Sequence, residues 1–553
     1  MGMQNRDPHN TSTLQKHFTD TYRSFFSKCQ KVASAPNSFL WAGEFSGFYE
    51  DGLLISQKLP FRVYVGIEST LDGKIEVEQE YTTYDVEEDA FTKRVFDTQL
   101  SNQFKLFLEN YFKDKLEIGF KIHVLTEAPM GHGLGSNGAL AAALATLIAD
   151  DLPFEKQYEL AYSILSGSQK GYSSGVTAYN ALVSTDQPIL FYGHKKKHKA
   201  YPISEIAKVK SPLTWPIDFG LIYTGVQTNS ENVVLAAEHT MTELNDASQS
   251  VNELIKNYSH PPFQQTFLDM LNMTSALMVN GFARIFNRGA NDASLQEFFG
   301  TLNQYQNLLH ILNISTKTSD IIYRHLHELA NKEVNGSGSG VKVSGIGKGG
   351  VMLFAVPYGA HRTEVSLLID ELREKFNKNI RLDYASWLDG IGEGGARVEQ
   401  DISKNIVSNL LSEDVVLAKI LHHGKEVRQT MTLERYQDLA FKSELVVDKT
   451  SGKIYIAGKP LTSKELPSQK ATAIILYDLL NSSNYKLSNE QISDSYGSNR
   501  YDLHSKIVLP IVKQLMKMAN KDFQLSVSGG MYDQFELRLD PSNVSILILE
   551  KKL

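Results

Sequence analysis

One stretch decides the fold of this chain: Pro129-Met130-Gly131-His132-Gly133-Leu134-Gly135-Ser136-Asn137-Gly138. The alternating residues 120–125 before it predict a β-strand, and the alanine-rich run that continues to about Ala149 predicts a helix. Alternate glycines let the backbone turn tightly and approach a ligand closely. A helix that begins directly after such a loop presents backbone N–H groups and the positive end of its dipole. The order of strand, loop and helix therefore predicts a phosphate-binding site rather than a plain turn.

Composition sets the limits of the interpretation. The chain has 553 residues, too many for one hydrophobic core, so we expect two or three domains. Its net charge of −7 argues against indiscriminate nucleic-acid binding by the whole chain, but it leaves a local basic patch open. The single cysteine, Cys29, excludes a disulfide framework within one chain. Because we find no signal peptide pattern and no apolar stretch longer than residues 138–148, we expect a cytoplasmic protein without membrane contact.

Two more loops of small residues follow along the chain. Residues 171–177 form a serine- and glycine-rich loop ahead of a strand predicted at 189–192. Residues 345–350 form a glycine loop whose flanks alternate like a β-hairpin, and we expect these glycines to press the backbone against a partner. Between and around these loops, strand patterns mix with helical ones at 14–32, 91–112 and 231–331. The mixture predicts an α+β or mixed α/β layer fold.

Three motifs resemble those of the galactokinase, homoserine kinase, mevalonate kinase and phosphomevalonate kinase (GHMP) superfamily, over residues 30–400. They are Ala35-Pro36…Gly43-Glu44, the loop Pro129-x-Gly131-x-Gly133-Leu134-Gly135-Ser136, and Lys342-Val343-Ser344-Gly345-Ile346-Gly347-Lys348-Gly349-Gly350. Each motif is weak alone, but three in the family's order are specific. Polarity and helical spacing predict an N-terminal tail and helix at 1–30. The resemblance implies that a two-subdomain α+β fold follows. The subdomains would be ribosomal-S5-like over 31–215 and ferredoxin-like over 216–400.

The resemblance also implies an activity, namely ATP-dependent phosphorylation of a small alcohol or a phosphorylated metabolite, nearest to the mevalonate type. ATP would rest on the loop that opens this section, at Gly131, Gly133, Leu134, Gly135, Ser136, Asn137 and Gly138. Mg²⁺ would be contacted by Ser136 and Asn137. The substrate would be contacted by Glu44, Ser174, Gly345, Gly347 and Gly349.

The sequence departs from the family pattern at its charged positions. The acid expected in the small-residue loop appears as Thr177 or, counting back from the next strand, as Asn180, and neither side chain accepts a proton as a carboxylate does. Ser38 stands where the first motif has lysine, and Asn137 replaces the second serine of the phosphate loop. We keep Thr177 and Asn180 as the catalytic candidates.

Two interpretations therefore stay open. The first is a kinase that works by positioning and charge neutralisation alone, which the loose transition state of phosphoryl transfer tolerates. The second is a domain that binds nucleotide or metabolite with little or no turnover. Glu44 and Asp186 are the carboxylates to inspect as substitutes for the missing acid.

Residues 444–553 resemble the winged-helix DNA-binding domain of OmpR/PhoB-type response regulators, after a predicted helical connector at 401–443. The resemblance rests on a hairpin at 445–460, three helical segments and a Gly-Gly wing at 528–532. It implies DNA contacts at Arg500, His504, Lys506 and Lys513, while Pro510 is expected to kink the recognition helix. The alternative is a winged helix used for protein contacts or dimerisation. A metabolite-responsive transcription regulator and a homodimer both stay open.

Overall fold

The structure, a computed structural model, describes most of the chain. The described residues are 13–49, 51–70, 74–77, 80–85, 88–95, 102, 105–110, 119–168, 173–194, 197–208, 217–226, 230–255, 261–288, 291–333, 338–345, 347–357, 362–380, 394–401, 415–422, 425–462, 464–466, 469–488, 490–492, 504–520, 524–529 and 535–552.

The described chain contains both helices and strands. The helices are α1 (Thr13–His17), α2 (Thr19–Lys28), α3 (Ser136–Ile148), α4 (Phe154–Ser168), α5 (Val176–Leu182), α6 (Ile203–Ile206), α7 (Ser230–Leu254), α8 (Phe263–Arg288), α9 (Asp292–Ile311), α10 (Lys317–Glu333), α11 (Arg362–Lys375), α12 (Leu433–Lys442), α13 (Gln469–Asn481) and α14 (Leu509–Ala519). The strands are β1 (Lys31–Ala42), β2 (Gly52–Thr70), β3 (Ile75–Val77), β4 (Glu80–Asp85), β5 (Ala90–Val95), β6 (Gly119–Thr126), β7 (Ile189–His194), β8 (Lys197–Pro202), β9 (Ile217–Tyr223), β10 (Gly340–Val343), β11 (Val351–Pro357), β12 (Arg397–Asp401), β13 (Val415–His422), β14 (Lys425–Thr432), β15 (Leu445–Asp448), β16 (Lys453–Ile456), β17 (Lys459–Pro460), β18 (Lys486–Ser488), β19 (Gln524–Gly529), β20 (Phe535–Asp540) and β21 (Ile546–Lys552).

The N-terminal sheet positions residues 129–138, the predicted phosphate loop. Six of its strands are hydrogen-bonded in the order β12-β1-β2-β6-β4-β5. In addition, β3 pairs with β6, and β7 pairs with β2 and β8. Helix α3 packs on β1 and β2 and against α4 and α5. Every residue of 139–147 is buried, as expected for a helix that is apolar on all sides, and its alanines allow close approach. The start of α3 is therefore fixed against β1.

The N-terminal helical prediction holds in part. Residues 14–32 were expected as one helix, but α1 and α2 are separate and Lys31 already begins β1. Strand pairing explains the end of the helix, because Lys31 pairs with Ile67 on one side and Asp401 on the other. The expected docking is confirmed, since Tyr22 is buried and its hydroxyl donates a 2.7 Å hydrogen bond to Glu127 Oε1.

The helix predicted over 91–112 is wrong at its beginning. Residues 90–95 form β5, which pairs antiparallel with β4 along its whole length. Helical backbone is present at residues 105–110.

The middle of the chain adds a smaller sheet and a set of helices. Strands β10, β11 and β9 form an antiparallel sheet in that order, and the predicted helical region contains α7 to α10. The third glycine loop joins β10 to β11. Strand β12 then returns to the N-terminal sheet and pairs with β1. Residues 397–401 therefore extend the first sheet, whereas the sequence analysis predicts that residues up to 400 belong to the second subdomain.

The helical connector predicted at 401–443 is wrong for most of its described part. Residues 415–422 and 425–432 form β13 and β14, and only α12 after them is helical. These strands belong to a sheet with the order β14-β13-β21-β15-β16-β17. The pairing of β13 with β21, at the other end of this unit, overrides the local helical pattern. The C-terminal unit thus includes residues from 415 onward.

The rest of the C-terminal unit combines helices with a second sheet of order β18-β20-β19. Helices α13 and α14 contribute buried leucines and isoleucines to a core shared with β15, β16 and β21. Residues 504–508 form a π-helical turn, and α14 continues directly with Pro510 in its first turn. Pro510 thus directly follows an irregular turn, and the kink expected at this residue stays a prediction. None of the described helices combines the length and the apolar character that crossing a membrane requires.

Candidate functional site

The phosphate loop has the backbone that its glycines predict. Gly131, Gly133 and Gly135 have φ angles of 78°, 77° and 66°, a left-handed region that glycine enters without steric cost. Helix α3 begins at Ser136 with Gly135 as its N-cap, and no side chain caps it. A helix start of this kind presents N–H donors that an anion can satisfy.

The third glycine loop lies directly on the phosphate loop. A Cβ atom on Gly133 would lie 2.5 Å from the carbonyl oxygen of Ser344, and one on Gly350 would lie 2.6 Å from that of His132. The Ser344 hydroxyl donates a 2.9 Å hydrogen bond to the carbonyl of Gly133. Gly345 also contacts Gly133 through its backbone. The tertiary structure thus brings together two motifs more than 200 positions apart.

The other two glycines predicted to contact the substrate have neighbours of their own. A Cβ atom on Gly347 would lie 2.7 Å from the carbonyl oxygen of Ile314, and one on Gly349 would lie 2.7 Å from that of Val226. These close approaches explain why glycine stands at both positions. Contact of Gly345, Gly347 and Gly349 with a substrate stays a prediction.

Strand β1 forms a further wall of the loop, through Asn37 and Ser38. Asn37 Nδ2 donates to the carbonyl of Leu134 at 3.1 Å and to Ser136 Oγ at 3.0 Å, and the Ser38 N–H donates to the same carbonyl at 3.2 Å. A Cβ atom on Gly135 would lie 2.7 Å from Ser38 Oγ. Within the described structure, Asn37 Oδ1 and Ser38 Oγ are buried and have no hydrogen-bond partner. Buried polar atoms of this kind usually have a water or ligand partner. Sequence reasoning missed Asn37.

Helix α5 brings one of the two catalytic candidates to the loop. Thr177 Oγ1 lies only 2.2 Å from the position of a Cβ atom on Gly138, so the first turns of α5 and α3 touch. Asn180 is fully buried, and its Nδ2 donates a 2.8 Å hydrogen bond to Ser56 Oγ on β2. Its Oδ1 has no partner among the described residues. Ser174 precedes the helix, and its hydroxyl accepts a 3.4 Å hydrogen bond from the N–H of Val176.

Glu44 is buried in an ion pair. Its carboxylate contacts Lys342 Nζ, and the two side chains are 1% and 0% exposed. Lys342 also donates to the carbonyl of Leu40 at 2.9 Å, and the Tyr305 hydroxyl donates to the carbonyl of Glu44 at 2.9 Å. Burial raises the pKa of Glu44 and lowers the pKa of Lys342, and the charge of each partner opposes the shift of the other. The ion pair therefore connects the first motif with the third. The contact of Glu44 with a substrate stays a prediction.

Asp186 lies at the other end of α5 from Thr177. Its carboxylate is exposed and accepts a 2.8 Å hydrogen bond from the N–H of Gly394. Nearby, Lys58 Nζ donates to the carbonyls of Val183 and Thr185 at 2.5 and 2.6 Å. Burial lowers the pKa of Lys58 to about 7, opposed by the charge of Asp186 and reinforced by Arg62. Sequence reasoning missed Lys58, since a single lysine in a strand pattern gives no signal of its burial.

The described residues contain no cluster of three His, Cys, Asp or Glu side chains able to hold a metal ion. The two predicted ligands, Ser136 and Asn137, are neutral, and Ser136 Oγ already accepts from Asn37. Mg²⁺ is usually bound through carboxylates and substrate phosphates. These two residues therefore fit the ion only as neutral partners beside the phosphates of a nucleotide.

The predicted DNA contacts lie on one segment of the C-terminal unit. His504 and Lys506 are exposed on the π-helical turn, and Lys513 is exposed on α14. Arg500 lies outside the described residues.

Comparison with known sequences agrees with the geometry of the phosphate loop. Residues 102–181 match the family model described as GHMP kinases N terminal domain. Residues 102–181 are therefore similar to the N-terminal domain of GHMP kinases. It is similar to a mevalonate kinase of Thermococcus sibiricus, with 24% identity over 347 residues, which cover 59% of this chain and 89% of the relative.

Solved structures of similar proteins include a mevalonate kinase and a galactokinase. L. major mevalonate kinase in complex with R-mevalonate is 14% identical, with a TM-score of 0.44, and the match covers 66% of this chain and 97% of that one. Lactococcus lactis galactokinase complexed with galactose is 16% identical, with a TM-score of 0.45, and the match covers 70% and 100% of the two chains.

Proposed function

We propose that this protein is an ATP-dependent kinase of a small-molecule alcohol, of the mevalonate-like GHMP type. The observation that carries the proposal is the backbone contact between Gly133 and Gly345 beside the uncapped start of α3. This contact brings the loops at 131–138 and 345–350 together at the start of a helix, and helix starts of this kind commonly bind anions. The match to the family model and to a mevalonate kinase supports the same assignment.

In the proposed reaction the ATP phosphates rest on residues 131–138. The alcohol oxygen forms a bond to the γ-phosphorus while the bond between that phosphorus and the β–γ bridging oxygen breaks. The alcohol proton passes to a phosphate oxygen or to water, because Thr177 and Asn180 carry no carboxylate to accept it. Mg²⁺, when bound with ATP, would neutralise phosphate charge. The contribution of the protein is then mainly positioning and backbone hydrogen bonding.

The test is ADP formation with Mg-ATP and a panel of small alcohols and sugars, combined with calorimetry of ATP binding. Gly135→Asp should abolish ATP binding, because its carboxylate would repel phosphate at the start of α3. Gly300→Ala is the matched control, since Gly300 lies in α9 and a Cβ atom there meets nothing within 4 Å. Equal ATP binding by wild type and Gly135→Asp, or no ADP with any acceptor, would contradict the proposal.

A second candidate is a nucleotide- or metabolite-responsive DNA-binding regulator with weak or no turnover. Two observations favour it: the carboxylate of Glu44 is engaged by Lys342, and Thr177 occupies the place of the expected acid. In this proposal 444–553 is a winged helix, supported by the order hairpin, helices and β19–β20 hairpin. The two subdomains upstream would be ribosomal-S5-like and ferredoxin-like. A gel shift on the upstream region of the protein's own gene, with and without ATP, tests it, and indifference to DNA at low salt would oppose it.

A further inference from the structure

A cavity of about 70 Å³ lies beside the first motif. Its walls come from Phe45 and Tyr49, from α7 and α8, and from Leu312 after α9. Most of the apolar wall residues are almost completely buried, with exposed fractions of 7% for Phe45, 2% for Ala237 and 1% for Leu312. Core side chains therefore form most of the cavity wall, while Tyr49 and Leu268 are half-buried and Glu238 is exposed.

The cavity adjoins the loops that form the phosphate site. Leu312 lies two residues before Ile314, whose carbonyl contacts Gly347 of the third glycine loop. Phe45 directly follows Glu44, which forms an ion pair with Lys342. Lys342 lies on β10, and Ser344 and Gly345 follow directly after that strand. A molecule in the cavity would thus lie next to the elements that hold the phosphate loop.

The backbone at Phe45 is strained. Its φ and ψ angles are 69° and −35°, a combination that is a genuine outlier for a bulky residue. Strain of this kind costs on the order of 1–3 kcal/mol and clusters at ligand sites. The Ser46 hydroxyl lies 2.8 and 2.7 Å from the carbonyl oxygens of Gly43 and Leu53, and the hydrogen bond that it donates there holds the turn in place. The turn keeps the Phe45 ring in the cavity wall.

The lining selects the chemistry of the ligand. Its side chains are aliphatic or aromatic, and the polar side-chain groups are the hydroxyl of Tyr49 and the exposed carboxylate of Glu238. A sugar in this space would leave hydroxyl groups without partners, at a cost of about 1–3 kcal/mol each. A carboxylate would face Glu238, whereas an aliphatic group needs no partner. The volume is about half of the ~150 Å³ cavity that holds benzene, which leaves room for about three or four carbons.

We propose that this cavity receives the uncharged aliphatic end of the phosphoryl acceptor. The acceptor is then an aliphatic alcohol whose buried end is neither a sugar ring nor a carboxylic acid. The inference rests on the proposed kinase function, because only a kinase makes the bound molecule a phosphoryl acceptor. Binding in the cavity can be measured without turnover.

The probe is 3-methylbutan-1-ol, with glycerol as the polar comparison. The methyl group of Met241, which lines the cavity, reports binding by NMR in the full chain, with its signal assigned through Met241→Leu. We expect a saturable shift with 3-methylbutan-1-ol and none with glycerol. Ala237→Leu places three more carbons in the cavity and should weaken binding by about tenfold or more. Ala236→Leu, one residue away on the same helix and not in the lining, should bind as wild type.

Calorimetry with ATP on the same samples separates the two proposals. Both leucine variants should bind ATP as wild type does, because neither touches the phosphate loop. Failure of every sample to bind ATP would refute the kinase proposal. The NMR titration of Met241 would still test whether the cavity binds the alcohol. No shift with 3-methylbutan-1-ol, equal saturation by glycerol, or unchanged affinity in Ala237→Leu would overturn the cavity inference.

Discussion

Gly133 and Gly345 meet backbone to backbone: a Cβ atom on Gly345 would lie 2.8 Å from the Cα atom of Gly133. Both residues also have positive φ angles, of 77° and 65°. Side chains therefore meet two obstacles at either position, a strained backbone and a lack of space. The contact fixes the phosphate loop through a segment that lies far along the chain.

Replacing Gly345 by alanine should separate the loops. We expect ATP affinity to fall by about tenfold or more and the free energy of unfolding to fall by about 1–3 kcal/mol, because backbone atoms must move. Calorimetry and urea unfolding measure the two effects. Gly338→Ala is the control, since Gly338 has a φ of 76° but nothing within 4 Å. If both variants lose ATP affinity equally, the contact with Gly133 is not what orders the loop.

Removing only one member of the buried ion pair between Glu44 and Lys342 should lower the free energy of unfolding. Lys342→Met leaves the Glu44 carboxylate buried without its partner, and we expect a loss of about 3–5 kcal/mol in the free energy of unfolding. The double variant Glu44→Gln with Lys342→Met should recover much of that loss. Urea unfolding of the single and double variants gives the coupling. Lys375→Met, in an exposed pair with Glu371, serves as control and should change little. Additive losses would show that the two groups do not interact.

Lys58 should make stability depend on pH. The unfolded lysine keeps its proton up to a pKa of 10.5, whereas the folded one loses it above about 7. Between these values the unfolded state binds more protons, so the free energy of unfolding rises with pH, and below pH 7 the contribution is constant. The difference between wild type and Lys58→Met should therefore grow in favour of wild type by up to about 1.4 kcal/mol per pH unit from pH 7 to 9. Urea unfolding at pH 6, 7, 8 and 9 measures it, and a difference that stays flat from 7 to 9 would exclude a lowered pKa.

The C-terminal unit gives a prediction for DNA. If the exposed residues Lys506 and Lys513 contact phosphates, Lys513→Ala should weaken binding equally for all sequences and reduce the slope of log affinity against log salt by about 1. Fluorescence anisotropy with a duplex at several salt concentrations measures this slope. Lys459→Ala, on the exposed strand β17, should leave the slope unchanged. An unchanged slope in Lys513→Ala would argue that α14 contacts protein instead.

Local sequence was most informative where the backbone itself is unusual. The glycines at 131, 133 and 135 predicted a tight loop, and all three have positive φ angles. The hairpin of β15 and β16 also lies where alternation and a turn placed it. Glycine and strict alternation act through the residue's own backbone or its nearest neighbours, so their meaning is readable without knowledge of the rest of the fold.

Predictions failed where pairing between distant segments decided the structure. Residues 415–432 have spacing that suits a helix, yet β13 pairs with β21 at the far end of the unit. Residues 90–95 likewise pair with β4 instead of extending a helix. A weak local preference of a few tenths of a kcal/mol per residue yields to a sheet that buries a shared core.

The sequence by itself determined the glycine loop at 131–138 and the helix after it, because glycine spacing, the alanine run and their order are local properties. Only the tertiary structure decided what surrounds that loop. It placed Gly345 on Gly133, gave Glu44 a buried partner in Lys342, and closed an apolar cavity behind Phe45. Each of these depends on the distance between segments separated by hundreds of residues, and burial and charge pairing follow from that distance rather than from residue type.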